Sequence, residues 1–197
     1  MNVVPPTTDG IRTAVEALRS GKIVAYPTET QYGLGVDPGN DEALKRLFRG
    51  KRRSEDSPVL LIIDGVAQLE GVAALSEKAQ RFIEHFWPGP LSLLLFPEKE
   101  VSSYLSGAEG KICVRCPYCE TARTLCREFG APITSTSANV AGRPPARAVA
   151  ALDLPDIAVA IDGGLLPGSP PSTVFDPDTG QVLREGVISE NALRALA

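Results

Sequence analysis

Two short runs of hydroxyl side chains carry most of the chemistry this sequence can offer. The first, Tyr26-Pro27-Thr28-Glu29-Thr30-Gln31-Tyr32, crowds hydroxyls, a carboxylate and an amide together and is followed by Gly33 and Gly35. The second, residues 134–139, reads TSTSAN. Dispersed cations accompany them: Lys51, Arg53, Arg115, Arg143, Arg147 and Arg184. Gathered at one crevice, such groups suit an oxyanion-rich substrate such as ATP, with catalysis by positioning and charge neutralisation instead of a protein nucleophile. Arg115 stands apart because it lies inside the apolar segment Ile112-Cys113-Val114-Arg115-Cys116. A guanidinium there needs an anionic partner, from the protein or from a ligand.

Other chemistries find less support. A Ser-His-Asp hydrolase would depend on the single histidine, His85, but no G-x-S-x-G turn occurs. With no metal ligand spaced around it, His85 reads as a helix-surface or packing residue. The four cysteines are spaced C-x2-C-x2-C-x6-C, like an iron–sulfur or zinc run. If residues 111–116 form a strand, however, Cys113 and Cys116 point to opposite faces, so free thiols and no resident metal are expected. Neither G-x-x-x-x-G-K-[ST] nor G-x-G-x-x-G is present, which removes a P-loop or Rossmann site in its usual form.

Regular elements must hold these groups. The apolar spacing predicts a helix over 10–20 capped by Asp9, stopped by Gly21 and followed by a strand over 22–26. Pro27 lacks a ladder donor and should weaken the pairing there. The polar run then leads into a turn at Gly33–Gly35, the kind of strand end where an α/β sheet presents ligands. A second helix is predicted over 42–49, capped by Asn40 or Asp41, and Lys51 and Arg53 beyond it are read as lying outside the core. Further expectations are strands over 59–63, 91–96, 111–116, 157–161, 173–175 and 181–184, with a short one near Ile133 that ends in the second hydroxyl run. Helices are expected after Ser76, over 120–129, briefly in the Ala-rich stretch after Arg147, and after Ser189.

The alternation implies one α/β domain over 1–197, a twisted mixed sheet flanked by helices. The 197 residues are ample for a core, and a hydrophobic fraction of 43% is ordinary for a globular protein. Twenty Lys and Arg against 24 Asp and Glu leave a net charge of −4, which argues against a protein that coats nucleic acid. No apolar run is of membrane-spanning length and no signal segment is visible, so a cytoplasmic protein with reduced thiols and no membrane partner is expected.

Seven stretches in order carry a resemblance over nearly the whole chain: YPTETQYGLG, KRR with Pro58, WPGPLS, VRCP, TSTSAN with Gly142-Arg143-Pro144, STVFD and LREG. Together they resemble the YrdC family of threonylcarbamoyl-AMP synthases, in its short single-domain form (TsaC type). The resemblance implies a nucleotidyltransferase that joins L-threonine, bicarbonate or CO2, and ATP into threonylcarbamoyl-AMP and pyrophosphate. It further implies Mg2+ accompanying ATP, a place at the first step of tRNA threonylcarbamoyladenosine modification, and a tRNA threonylcarbamoyl-transferase machinery downstream. It places Thr30, Arg115, Ser135 and Ser172 on threonine. On ATP it places Lys51, Arg53, Ser57, Lys111, Ser137, Asn139, Arg143 and Arg184, with Lys51 and Arg53 as the catalytic cations. Gln31, Ser92, Cys119, Ile62 and Pro145 depart from the family pattern. Glu29 is the one carboxylate near enough to be considered as a base. Two other readings stay open at this point: a duplex RNA-binding module of the same fold, with direct RNA or tRNA contact, and an adenylating enzyme that uses carbamoyl phosphate.

Overall fold

Side-chain oxygens set most of the helix starts. Thr7, Asn40, Ser76 and Ser189 each accept an amide from the first turn of the helix they precede, satisfying a donor that has no partner within the helix. The computed structural model describes residues 1–54, 57–107 and 109–196. In chain order its elements begin with β1 (Asn2–Val4), α1 (Thr8–Arg19), β2 (Ile23–Pro27), β3 (Tyr32–Gly35), α2 (Asp41–Lys51) and β4 (Leu60–Ile62). They continue with β5 (Ala73–Ala74), α3 (Glu77–Phe86), β6 (Leu91–Pro97), β7 (Ile112–Arg115), α4 (Glu120–Phe129) and β8 (Ile133–Ser137). The last are β9 (Ile157–Ile161), β10 (Thr173–Asp176), β11 (Gln181–Arg184) and α5 (Glu190–Arg194).

Three local expectations are corrected. Thr7, not Asp9, caps α1, so the helix starts earlier than the apolar spacing suggests. The Ala-rich stretch makes only a 3-10 turn, Val149–Ala151. The second hydroxyl run stands at the end of its strand as expected, with residues 134–137 inside β8 and Ala138 and Asn139 beyond it. Gly33 and Gly35 do not form a turn; both sit in β3, paired with β2 and β8. What requires glycine there is the Tyr26 ring. A methyl on Gly35 would come within 2.9 Å of Tyr26 Cε1 and of the Thr134 carbonyl oxygen, and one on Gly33 within 3.2 Å of the same ring. Tyr26 lies flat on the two glycines, fully buried, and its hydroxyl donates to Thr134 O at 3.0 Å.

Among the described residues the strands form one mixed sheet in the order β1-β9-β2-β3-β8-β4-β7-β6-β10-β11, with β5 added beside β6. The β4–β7, β6–β10, β1–β9 and β2–β9 pairs are parallel, and the rest of that order is antiparallel. Both faces carry core. On one, α2 and α3 bring Leu44, Leu47, Phe82 and Ile83 against Leu34, Leu61, Leu93 and Val114. On the other, α1 and α4 bring Ile11, Val15, Leu18 and Leu125 against Val24, Ile62, Ile133 and Val159. Burial on both sides is why residues 59–63 read as an unbroken apolar run.

The two covers are unequal. Helices α1 and α4 pack over β2, β9 and β4 but leave the far half of their face bare. Side chains alternate along a strand, so Ile62 and Ile133 share this face with Leu60 and with Ser135 and Ser137. The first pair is roofed by helix; the others line an open cavity. The position of this cavity follows from where α4 ends its coverage. No helix among the described residues is long and apolar enough to cross a membrane.

Candidate active site

The first hydroxyl run is a tight loop joining β2 to β3, and Thr28 organises it. Its Oγ1 accepts the amides of Thr30 and Gln31, both at 3.2 Å, and donates to Gln31 O at 2.6 Å. The Thr30 hydroxyl stands 3.1 Å from it and faces the cavity. The second run reaches the same cavity from β8, whose Ser135, Thr136 and Ser137 all line it. The cavity measures about 280 Å3. Its polar wall is completed by Ser172 and by three guanidiniums, Arg53, Arg115 and Arg184. Leu60, Leu94, Val174 and Leu183 supply apolar wall, a feature the sequence reading missed because each is one member of an alternating strand pattern.

The charge balance of this wall is one-sided: no carboxylate lines the cavity among the described residues. Neutral acceptors hold two of the three guanidiniums. Arg53 donates to Ser57 O at 2.6 Å and Pro58 O at 2.9 Å. Arg184 donates to Ser172 O from both Nε and Nη2, at 3.2 and 2.8 Å. Ser172 is in turn fixed by Ser92 Oγ at 2.9 Å, so the Ser92 departure still supplies a hydroxyl. Burial lowers the pKa of Arg53, and its neighbour Arg184 adds to the effect. Arg184 is lowered mainly by burial as well, and Arg115 acts in the same direction. Guanidiniums that repel one another across a cavity without a carboxylate in its wall make an anion-binding site.

Arg115 is the exception, with a carboxylate partner. It is 4% exposed, and Nη1 donates to Glu29 Oε1 at 3.2 Å. The partner that the apolar strand required is therefore, at least in part, the protein's own.

Several other expected site residues take positions away from the cavity wall. Ser57 is exposed and reaches Arg53 through its carbonyl. Lys111 is buried beside Asp176 at 2.6 Å and Asp178 at 3.5 Å, with its ammonium 4.7 Å from the Phe96 ring centroid. Exposed Arg143 pairs with Asp153. Ile62 is fully buried under α4, and Leu60 is the β4 side chain that meets the cavity. Pro145 is exposed. His85 is also exposed, at the end of α3, edge-on to Phe86 at 4.6 Å.

Lys51 corrects the expectation that it lies outside the core: it belongs to α2 and is 2% exposed. Its ammonium turns inward and donates to Ser137 O and to Asn139 O, the latter at 2.7 Å. Asn139 Oδ1 accepts from Ser137 Oγ, so Lys51 and Asn139 together brace the end of β8. Burial, and then Arg53, push the Lys51 pKa down to about 8. Lys51→Ala would leave two carbonyls without this donor and should cost more than about 2 kcal/mol of stability. The pH dependence has a definite sign. Between about pH 8 and the ordinary lysine value, the unfolded chain holds a proton that the folded chain has released, so Lys51 makes stability rise with pH there. Below about pH 8 both states are protonated and its contribution is flat. Chemical denaturation at pH 7.5 and 10 should show the wild type gaining on Lys51→Met; a pH-independent difference would refute the assignment.

The cysteines keep the alternation expected of β7. Cys113 lines the cavity, whereas Cys116 points into the core and donates to Asp64 O at 3.5 Å. Cys119 and Cys126 donate to Pro27 O and Ile62 O. All four are free, and burial pushes the Cys113 and Cys116 thiols up to about 11. No cluster of His, Cys, Asp or Glu suited to a metal occurs among the described residues.

Fold and site together define an α/β protein with a guanidinium- and hydroxyl-lined cavity on the bare half of a mixed sheet. Comparison with known proteins agrees and is more specific. Residues 16–186 match the family model Sua5/YciO/YrdC, described as telomere recombination, and the chain belongs to this family. It is 37% identical over 187 residues to a threonylcarbamoyl-AMP synthase of Xanthomonas campestris, a match covering 91% of this chain and all of that one. It superposes on the crystal structure of P. abyssi Sua5 complexed with L-threonine with a TM-score of 0.87 and 34% identity, over 94% of this chain and 56% of Sua5. On E. coli YciO the TM-score is 0.85 at 27% identity, over 98% of both chains.

Proposed function

We propose that this protein is a cytoplasmic L-threonylcarbamoyladenylate synthase, which makes threonylcarbamoyl-AMP and pyrophosphate from L-threonine, bicarbonate or CO2, and ATP. The observation that carries the reading is the cavity wall, three guanidiniums and a set of hydroxyls with no carboxylate. Relatives at 37% identity bear the synthase name, and Sua5 was solved with L-threonine. Both favour an enzyme over an RNA-binding module, and the chain's net charge of −4 points the same way.

Each side of the cavity then has a task. Arg115 grips the threonine carboxylate, since a guanidinium matches a carboxylate with two parallel hydrogen bonds. Thr30, Ser135 and Ser172 present hydroxyls to the same substrate. Arg53 and Arg184 neutralise the triphosphate, and the apolar wall offers surface to the adenine ring. The neutral substrate amine forms a bond to the carbon of CO2 as one C–O π bond opens, and the nitrogen releases a proton to give the carbamate anion. A carbamate oxygen then bonds to the α-phosphorus as the bond to the bridging oxygen breaks, and pyrophosphate leaves. Charge on that leaving group is what Arg53 and Arg184 stabilise. Lys51 acts from behind the wall by fixing the carbonyls at the end of β8, with Asn139. A hard divalent cation prefers charged oxygen ligands, which this wall lacks, so Mg2+ fits here as the companion of ATP's own phosphates. The product would pass to the machinery that transfers the threonylcarbamoyl group to tRNA.

The test is pyrophosphate release from ATP in the purified protein. Release should require threonine and bicarbonate together. Release with carbamoyl phosphate and no threonine would move the assignment to an adenylating enzyme of that substrate.

A further inference from the structure

The Arg115–Glu29 pair is incomplete in a way that describes a ligand. A guanidinium and a carboxylate in their best geometry share two parallel hydrogen bonds. Here the only ion-pair contact is from Nη1 to Oε1, at 3.2 Å. Arg115 Nε and Glu29 Oε2 are both buried without a hydrogen-bond partner. One is a donor and the other an acceptor, and buried groups left in this state are rare and costly. Arg115 lines the cavity, and Glu29 lies between Thr28 and Thr30, which also line it. The pair thus holds an unmet cationic donor and an unmet anionic acceptor, with Arg115 in the cavity wall and Glu29 next to that wall but not part of its lining.

We infer that Glu29 receives the ammonium group of the amino-acid substrate, so that a zwitterionic α-amino acid inserts into the ion pair with its carboxylate on Arg115 and its nitrogen on Glu29. This inference rests on the amino-acid reading above and adds the residue that recognises the amine. An α-amino acid carries the two complementary charges on neighbouring carbons, at about the spacing of an opened ion pair. It is neutral overall, so its entry exchanges one internal pair for two without burying net charge. No carboxylate in the cavity wall competes for the ammonium among the described residues. The partly exposed Glu29 side chain, 18% accessible, can turn as the pair opens, whereas Arg115, at 5%, stays fixed.

The experiment compares the Kd of L-threonine with that of (R)-3-hydroxybutanoate, which keeps the carboxylate and hydroxyl and lacks the amine. Both are measured on wild type, Glu29→Gln and Glu29→Asp, with ATP binding as the check of folding. Wild type should prefer threonine by about ten- to a hundredfold, the range for a hydrogen bond to a charged group. Glu29→Gln should cut the preference to within about threefold by weakening threonine alone, and Glu29→Asp should keep part of it. An undiminished preference in Glu29→Gln, or equal weakening of both ligands, overturns the inference; the latter would mean that Glu29 only holds Arg115. A wild type that binds no threonine defeats the amino-acid reading itself. If Glu29→Gln does not bind ATP, a threonine-bound crystal structure of the wild type decides. The ammonium nitrogen should lie about 3 Å from a Glu29 carboxylate oxygen. An ammonium directed elsewhere, with Glu29 still on Arg115, overturns it.

Discussion

Arg115→Leu should abolish the rise in melting temperature expected from threonine and leave the rise expected from ATP. A ligand that binds only the folded state stabilises it in proportion to the logarithm of its concentration over Kd, so the two shifts report the two sites separately. Removing one partner of a desolvated charge pair costs about 2–5 kcal/mol, which predicts a loss of threonine affinity of more than about thirtyfold. The fold should survive. Glu29 is the one partner that the described residues give the guanidinium, and at 18% exposure its freed carboxylate can turn toward water. Arg115→Lys should fail nearly as badly, because an ammonium cannot present two parallel donors. Should Arg115→Leu unfold the protein, or bind threonine as the wild type does, Arg115 is a structural partner of Glu29 and the carboxylate anchor lies elsewhere.

How far this site was legible depended on the distance over which each residue's fate is decided. Helices α3 and α4 and strands β9 and β11 follow from apolar spacing and caps within a few residues, and they stand where the sequence places them. The need of Arg115 for an anion was readable from its apolar strand; the identity of that anion was not, because Glu29 is 86 residues away. Lys51 looked like a cation at a helix end because its acceptors, Ser137 and Asn139, come from β8. Lys111 faces the same limit, since only the folded chain brings Asp176 beside it. Gly33 and Gly35 imitate a turn because glycine is the commonest turn residue, and only the Tyr26 ring lying across them explains a strand. Strand β1 has a weak local signal and exists by pairing with β9. The two hydroxyl runs survived this non-locality, since both reach one cavity by way of adjacent strands, β3 and β8.

Threonine should support pyrophosphate release at least about a thousandfold better than valine when the two are compared by kcat/KM at saturating ATP and bicarbonate. Valine is nearly isosteric with threonine, so shape alone cannot reject it; the difference is one hydroxyl replaced by a methyl. A pocket that merely tolerates that hydroxyl would discriminate poorly. One that hydrogen-bonds it leaves buried polar groups unpaired when valine binds, and such sites reject the wrong substrate by about 10^4. The proposed function makes this cavity one of the second kind: Thr30 is 4% exposed, Ser135 7% and Ser172 5%, so a hydroxyl turned toward the substrate has little bulk water to replace it. Serine separates the hydroxyl from the methyl. It keeps the hydrogen-bonding group and lacks one carbon, a loss of only about 10–200-fold, so the expected order is threonine, serine, valine. Valine turning over within about tenfold of threonine would mean that the hydroxyl is not read, and the assignment of threonine as substrate would fall with it.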